Sequence, residues 1–437
     1  MTTPVTGPWK VLSDPDGLST PFYVIPFDRD GVCTGPNTLD HLVEASTNCT
    51  DVFVFSHGWN NDWDAATKRY EDFATEFTHA RRKGWRPSTR DYNPLLVGVF
   101  WPSTSLVLPW ERPPDIAGAP SSELDEVAAL AEDLGPREAG RLHELASAGT
   151  LDRAQAGELA EILAPLLGGE QDELDPGVKP PTADELFSVW REAPGLARRR
   201  TDGGFIDDVP VTTAAGGPQA AGFLDRFDPR NLIRGATVVL MKDRAGRVGA
   251  AGVAVMLRRI VDASPDSRVH LVGHSYGAKV VLSALCHGEA PGRAVDSVLL
   301  LQPAMSCLCF ASNVDNGRPG GYRPALERSR GPIVTTFSPH DAPLTTFFHL
   351  AVRRRSDLGE AVIAGGPPSR YAALGGYGPQ GARADTEIVT ARLMPQRYGF
   401  TATGKRIIAI DGTGLIMGHG DVTTPVTAWA LLNQVME

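Results

Sequence analysis

Arg268-Val269-His270-Leu271-Val272-Gly273-His274-Ser275-Tyr276-Gly277-Ala278, continuing to Cys286, is the stretch on which the reading of this chain turns. It predicts a strand, a sharp turn and a helix in immediate succession. Arg268 to Val272 is β-branched and apolar and closes on glycine, the pattern of a short buried strand, while Val280, Val281, Ala284 and Leu285 recur at the three-and-four spacing of a helix. Between them lies G-x-S-x-G, with Gly273 and Gly277 two residues to either side of Ser275. A turn this tight forces the serine into a strained backbone conformation that lifts its hydroxyl clear of the sheet, and larger residues at the glycine positions would clash. The bare pattern means little in a chain with 46 glycines. Its strand-turn-helix setting makes Ser275 the first candidate for a catalytic residue.

A serine hydroxyl is a poor nucleophile near neutral pH. It needs a base to take its proton, an acid to orient that base, and donors for the oxyanion that forms. In a doubly wound sheet such residues sit in loops at the carboxyl ends of strands. The strand predicted at Ile333 to Phe337 runs into Ser338-Pro339-His340-Asp341-Ala342-Pro343, which makes Asp341 the candidate acid. Asp341 could instead cap a helix opening near Pro343, and Asp315, in the loop after the preceding strand, is held in reserve. The strand predicted at Arg406 to Ile410 is followed by a glycine-rich loop in which His419 lies between Gly418 and Gly420, glycines read as allowing it to approach the serine. His419 is the candidate base. His270 lies within a strand, His274 is the variable position of the turn, and His340 and His349 precede the final strand. The strand Val52 to Phe55 ends in Ser56-His57-Gly58-Trp59-Asn60, so the backbone N–H of Trp59 joins that of Tyr276 as a candidate oxyanion donor. His57 then braces the loop rather than serving as a second base.

Outward from these residues the chain alternates strands and helices. Buried strands are predicted at Val52 to Ser56, Leu95 to Trp101, Val269 to Val272 and Ser297 to Leu301, and helices at Asp64 to Arg82 and Gly246 to Ala263, with a closing helix at Thr424-Pro425. That order implies an α/β fold with a mostly parallel, doubly wound sheet. Residues 102 to 234 break the pattern and read as a helical insertion dividing the core into residues 1–101 and 235–437. One helix is expected around Leu124, Val127 and Leu134, a second around Leu159, Ile162, Leu163 and Leu166, and a third after the capping box at Thr182-Ala183-Asp184-Glu185, carrying Leu186, Val189 and Trp190. These helices form either a cap over the carboxyl ends of the strands or a surface insert. Gly203-Gly204 to Gly222 is the most linker-like stretch.

Composition narrows the partners. A net charge of −10 argues against nucleic acid, and Arg198-Arg199-Arg200 and Arg353-Arg354-Arg355 read as solvated faces. No apolar run approaches the roughly 20 residues of a membrane span, and the polar start Met1 to Trp9 is unlike a secretory signal, so a cytoplasmic protein is expected. Five scattered cysteines (Cys33, Cys49, Cys286, Cys307, Cys309) fit free thiols in a reducing compartment better than a disulfide framework, and Cys307-x-Cys309 lacks the second pair a metal would need. Gly246, Gly249 and Gly252 lack the spacing of a nucleotide-binding loop, so neither metal nor cofactor is expected.

Ser275, Asp341 and His419 in that order, with His57-Gly58-Trp59 upstream, resemble the α/β-hydrolase superfamily over residues 22–101 and 235–437. The resemblance implies a mostly parallel sheet of about eight strands with helices on both faces. It also implies a serine hydrolase of small-molecule or lipid-like carboxylic esters working through an acyl-enzyme. An acyltransferase, a thioesterase or a peptidase could use the same residues, and a hydrolase fold whose residues are inert would be a binding protein. The insertion departs from the family, whose lids more often follow the strand after the nucleophile.

Overall fold

The computed structural model describes residues 6–59, 61–84, 92–103, 127, 130–132, 134–167, 182, 229–289, 291–314, 317–341, 343–347 and 372–437. Within them one nine-stranded sheet is formed by β1 (Lys10–Ser13), β2 (Ser19–Pro26), β3 (Asp51–Ser56), β4 (Pro94–Phe100), β5 (Arg268–His274), β6 (Ser297–Leu301), β7 (Ile333–Phe337), β8 (Thr386–Thr390) and β9 (Ile407–Asp411). The spatial order is β1-β2-β4-β3-β5-β6-β7-β9-β8, and β1 alone runs antiparallel. β4 lies on one side of β3 and β5 on the other, so the direction of winding reverses at β3. Beside such a reversal, loops leaving the carboxyl ends of neighbouring strands diverge and leave a crevice.

The helices are α1 (Pro36–Ser46), α2 (Trp63–Gly84), α3 (Pro136–Ala146), α4 (Arg153–Leu163), α5 (Pro229–Arg247), α6 (Ala254–Ala263), α7 (Tyr276–Cys286) and α8 (Pro425–Met436), with shorter turns between them. They cover both faces of the sheet. On one face Phe22, Phe53 and Phe55 pack with Tyr70, Phe73 and Phe77 of α2 and with Trp429 and Leu432 of α8. On the other, Val52, Val54, Leu95 and Val97 share a core with α1, α5, α6 and α7. Leu142, Leu145, Leu159 and Leu163 of α3 and α4 belong to that second core and are all at most 2% exposed. Burial this complete is worth about 1.5–3 kcal/mol per leucine side chain.

Six strands lie where the sequence predicts them, each within about two residues. β2 was not read, although Phe22, Tyr23, Val24 and Ile25 are buried, because Pro21 and Pro26 interrupt its apolar run. β8 is a short edge strand with Ile388 61% exposed, and so lacks the burial pattern that marks its neighbours. The helix expected at Gly246 to Ala263 is the end of a longer one. It begins at Pro229, widens into a π-helical turn over Val248–Val253 and resumes as α6. The helical residues Val127 and Leu130 answer to the first helix expected in the insertion, and α4 with the following turn Ala164–Leu167 to the second. Asp184, Glu185, Leu186, Val189, Trp190 and residues 203–222 lie outside the described residues. α8 starts as expected, with Thr424 and Thr427 closing a reciprocal cap. All five cysteines are free, and among the described residues no helix is long and apolar enough to cross a membrane.

Candidate active site

Ser275 stands between β5 and α7 with φ 55° and ψ −122°, a backbone region that L-residues rarely occupy. The turn is tight because α7 must begin against the end of β3. A Cβ on Gly277 would lie 2.1 Å from the Ser56 carbonyl oxygen, so only glycine fits there. The Ser275 backbone is tied to the next strand on both sides: its N–H donates to Leu301 at 3.1 Å, and its carbonyl accepts from Ala304 at 3.2 Å.

The hydroxyl of Ser275 is 2.9 Å from His419 Nε2, and His419 Nδ1 is 2.8 Å from Asp341 Oδ2. A carboxylate only accepts, so the imidazole proton sits on Nδ1 and Nε2 faces the hydroxyl as an acceptor. Asp341 is fully buried, and its other oxygen accepts from the Leu344 N–H at 3.1 Å. The two roles weighed for Asp341, partner of the histidine and cap of the turn at Pro343, are thus both filled, one by each oxygen. Asp315 and His349 lie outside the described residues, and His340 is exposed.

His57 is wholly buried and its imidazole is already engaged. Nδ1 donates to the Gly58 carbonyl at 2.8 Å, Nε2 accepts from the Trp101 N–H at 3.4 Å, and the ring stacks on Trp101. Burial lowers its pKa from 6.5 to about 4, with the Arg69 charge acting the same way against the Gly58 hydrogen bond. The Gly58 carbonyl also accepts from Asn61 Nδ2 at 3.0 Å. With that carbonyl held by two donors, planarity of the trans peptide turns the Trp59 N–H to the opposite side. Tyr276 opens α7, so its N–H sits at the positive end of the helix dipole. The Trp59 and Tyr276 rings lie 6.3 Å apart beside the turn.

The glycines on either side of His419 do not serve the purpose read for them. A Cβ at Gly418 or Gly420 would meet nothing within 4 Å, and neither residue has a positive φ. Side chains from the ends of three strands also hold the loop. Ser338 Oγ, just past β7, donates to the Ile416 carbonyl at 2.7 Å; Gln302 Nε2, just past β6, donates to Gly418 at 2.5 Å; His274 Nε2, at the end of β5, lies 3.1 Å from the His419 carbonyl. In the sequence pattern His274 is only the variable position of the turn. Burial pushes its pKa well below the ordinary value, and the charges of Arg69 and His419 push it the same way. Arg69 Nη1 stands 3.3 Å from its Nδ1. Gln302 follows a buried strand with a positive φ of 41°, which no sequence signal announces in a non-glycine residue.

Comparison with protein-family models, with curated proteins and with solved structures finds no match to this chain.

Proposed function

We propose that the chain is a serine hydrolase of the α/β-hydrolase fold that cleaves carboxylic esters through an acyl-enzyme on Ser275. One observation carries the reading: an unbroken line of two hydrogen bonds, 2.9 Å and 2.8 Å, from the Ser275 hydroxyl through the His419 imidazole to the buried Asp341 carboxylate. The three residues come from loops after β5, β9 and β7, and Ser275 sits on a strained strand-to-helix turn, as a nucleophile elbow requires.

In this reading His419 Nε2 takes the hydroxyl proton as Ser275 Oγ adds to the ester carbonyl carbon. Negative charge then moves onto the carbonyl oxygen, where the N–H groups of Trp59 and Tyr276 receive it. Asp341 stabilises the imidazolium and keeps its remaining protons aligned. Collapse of the tetrahedral adduct expels the alcohol, which takes its proton from His419 Nε2, and leaves the acyl group on Ser275. Water, deprotonated by the same nitrogen, releases the acid and restores the serine. The substrate on this reading is a small-molecule or lipid-like ester.

The test is reaction of the full chain with a fluorophosphonate, followed by peptide mapping. Modification is expected on Ser275 and is expected to be absent from Ser275→Ala. Labelling elsewhere, or undiminished ester turnover by that variant, would overturn the reading.

A further inference from the structure

The loop that carries His419 is rich in glycine, and short-range bonds shape it: the Leu415 and Ile416 N–H groups donate to the Gly412 carbonyl and the Met417 N–H to Asp421. Four of the nine residues from Gly412 to Gly420 are glycine, and each leaves the backbone more freedom than any other residue would. Yet a catalytic base must hold its ring within a fraction of an ångström, because a misplacement of about 1 Å costs on the order of 100-fold in rate. To these short-range bonds a further restraint is added from outside the loop. His274 at the end of β5, Gln302 just past β6 and Ser338 just past β7, three adjacent strands, each meet a carbonyl of this loop: His274 faces His419, Gln302 faces Gly418 and Ser338 donates to Ile416.

From this arrangement we infer that His274, Gln302 and Ser338 are positioning residues, a three-point clamp that fixes the backbone under His419 and thereby aims its imidazole between Asp341 and Ser275. The inference rests on the hydrolase reading for its effect on rate, but not for its effect on the His419–Asp341 hydrogen bond.

Each point of the clamp has a determined polarity. A peptide carbonyl only accepts, so the His274 proton lies on Nε2, and Nδ1 is left to accept from Arg69 Nη1 at 3.3 Å. Gln302 is fully buried, and its amide is oriented by the same logic: Nε2 faces Gly418, whereas a flipped amide would set oxygen against oxygen. Among the described residues its Oε1 is buried with no hydrogen-bond partner, and its backbone holds φ 41° while its N–H donates to Thr336 Oγ1 at 2.9 Å. A positive φ and an unsatisfied buried oxygen are both unfavourable, so this residue is kept in place against two local costs. The bond to Gly418 is what those costs accompany. Ser338 extends the clamp to the acid's own loop, since its Oγ also accepts from the His340 N–H at 3.2 Å, one residue before Asp341.

The test compares the wild-type chain with Gln302→Met, His274→Phe and Ser338→Ala. Each removes one donor while preserving much of the local volume. Three measurements are made on every folded variant: the rate of fluorophosphonate labelling of Ser275, the pH dependence of kcat, and the downfield proton resonance of the His419 Nδ1–H to Asp341 hydrogen bond. The clamp predicts labelling and kcat reduced by roughly 10- to 100-fold with little change in KM. It also predicts an acidic limb moved to lower pH, because an imidazole less well aligned with its carboxylate holds its proton less firmly. The downfield resonance should broaden or vanish, and His274→Gln, which can still donate to the His419 carbonyl, should recover part of the loss. Folded variants that keep the wild-type resonance and acidic limb would overturn the clamp while leaving Ser275 as the nucleophile. A wild-type chain that never labels at Ser275 would instead overturn the hydrolase reading, and the resonance would still decide whether the clamp holds the histidine. Should His274→Phe fail to fold, Gln302→Met and Ser338→Ala act on different carbonyls and carry the test.

Discussion

Gly58 and Ser275 approach so closely that a Cβ on the glycine would lie 2.8 Å from the serine Cβ, and 3.1 Å from His274 Nδ1. The loop after β3 therefore lies directly against the turn that carries the serine, with no layer of side chains between them. The closeness exposes the arrangement to a single methyl group. Gly58→Ala should reduce ester turnover by about 100-fold, the scale of an ångström-sized displacement of reacting groups, and lower stability by roughly 1–3 kcal/mol through overpacking. Thermal unfolding and kinetics on the same preparation check both, and a fully active variant would show that the loop can retreat freely.

The strained φ of Ser275 makes a prediction independent of chemistry. Ser275→Ala and Ser275→Gly both remove the hydroxyl, and both should lose turnover by several orders of magnitude, on the order of 10⁶-fold where triad members act as a unit. Their stabilities should differ. Alanine keeps the Cβ that makes this conformation costly, so the glycine variant should be the more stable by about 1 kcal/mol. Denaturant titration decides the order, and an alanine variant equal to or above the glycine variant would mean that the turn is not strained.

Asp341 accepts from both His419 and Leu344. Asn in its place would offer an amide in one of those two directions. If the amide faces His419, Nδ1 must accept and the imidazole proton moves to Nε2, where it can no longer receive the serine's. Asp341→Asn should therefore cost on the order of 10⁴-fold in kcat, the size of the tautomer effect in serine proteases. Asp315→Asn should leave turnover at the wild-type level. The opposite outcome for the pair would move the acid to Asp315.

Three buried histidines tie stability to acid. Burial lowers the pKa of His57 to about 4 and depresses those of His270 and His274, with Asp51 opposing the effect at His270 and Arg69 reinforcing it at His274. In the unfolded chain each would take up a proton near its ordinary pKa of about 6.5. Below that pH the unfolded state binds more protons than the folded one, so stability is full above about pH 6.5 and falls as the pH drops toward 4. His57 alone accounts for roughly 3 kcal/mol across that window. Denaturant midpoints measured between pH 7 and pH 4 check the slope, and His57→Gln should flatten it.

Leu159 of α4 is completely buried in the same core as β3 and β4, although it lies in the stretch whose composition breaks the strand-helix pattern. Leu159→Ala should cost about 2–5 kcal/mol and lower a single cooperative unfolding transition. A separate early transition that absorbs the whole effect would mean that α3 and α4 unfold apart from the sheet.

Local chemistry explains what was legible in the sequence. The run from Arg268 to Cys286 encodes a strand, a tight turn and a helix through neighbouring residues alone, and it could be read without any knowledge of what packs on it. Strand order then placed Asp341 and His419 in loops at the carboxyl ends of strands, since both follow apolar runs that only a buried strand explains. The tertiary structure decided everything that depends on groups far apart in the chain. Ser275 and His419 are separated by 144 positions and His419 and Asp341 by 78, so their hydrogen bonds follow from how β5, β7 and β9 are registered, a matter of packing and not of propensity. The same holds for His274 and Gln302. One looked like a variable position and the other like an ordinary residue at a strand end, because what each does depends on a carbonyl more than 100 residues away in the loop of His419. The need for glycine at Gly58 belongs with them, since the atoms it must avoid come from β5 and its turn, which no spacing along the chain reveals.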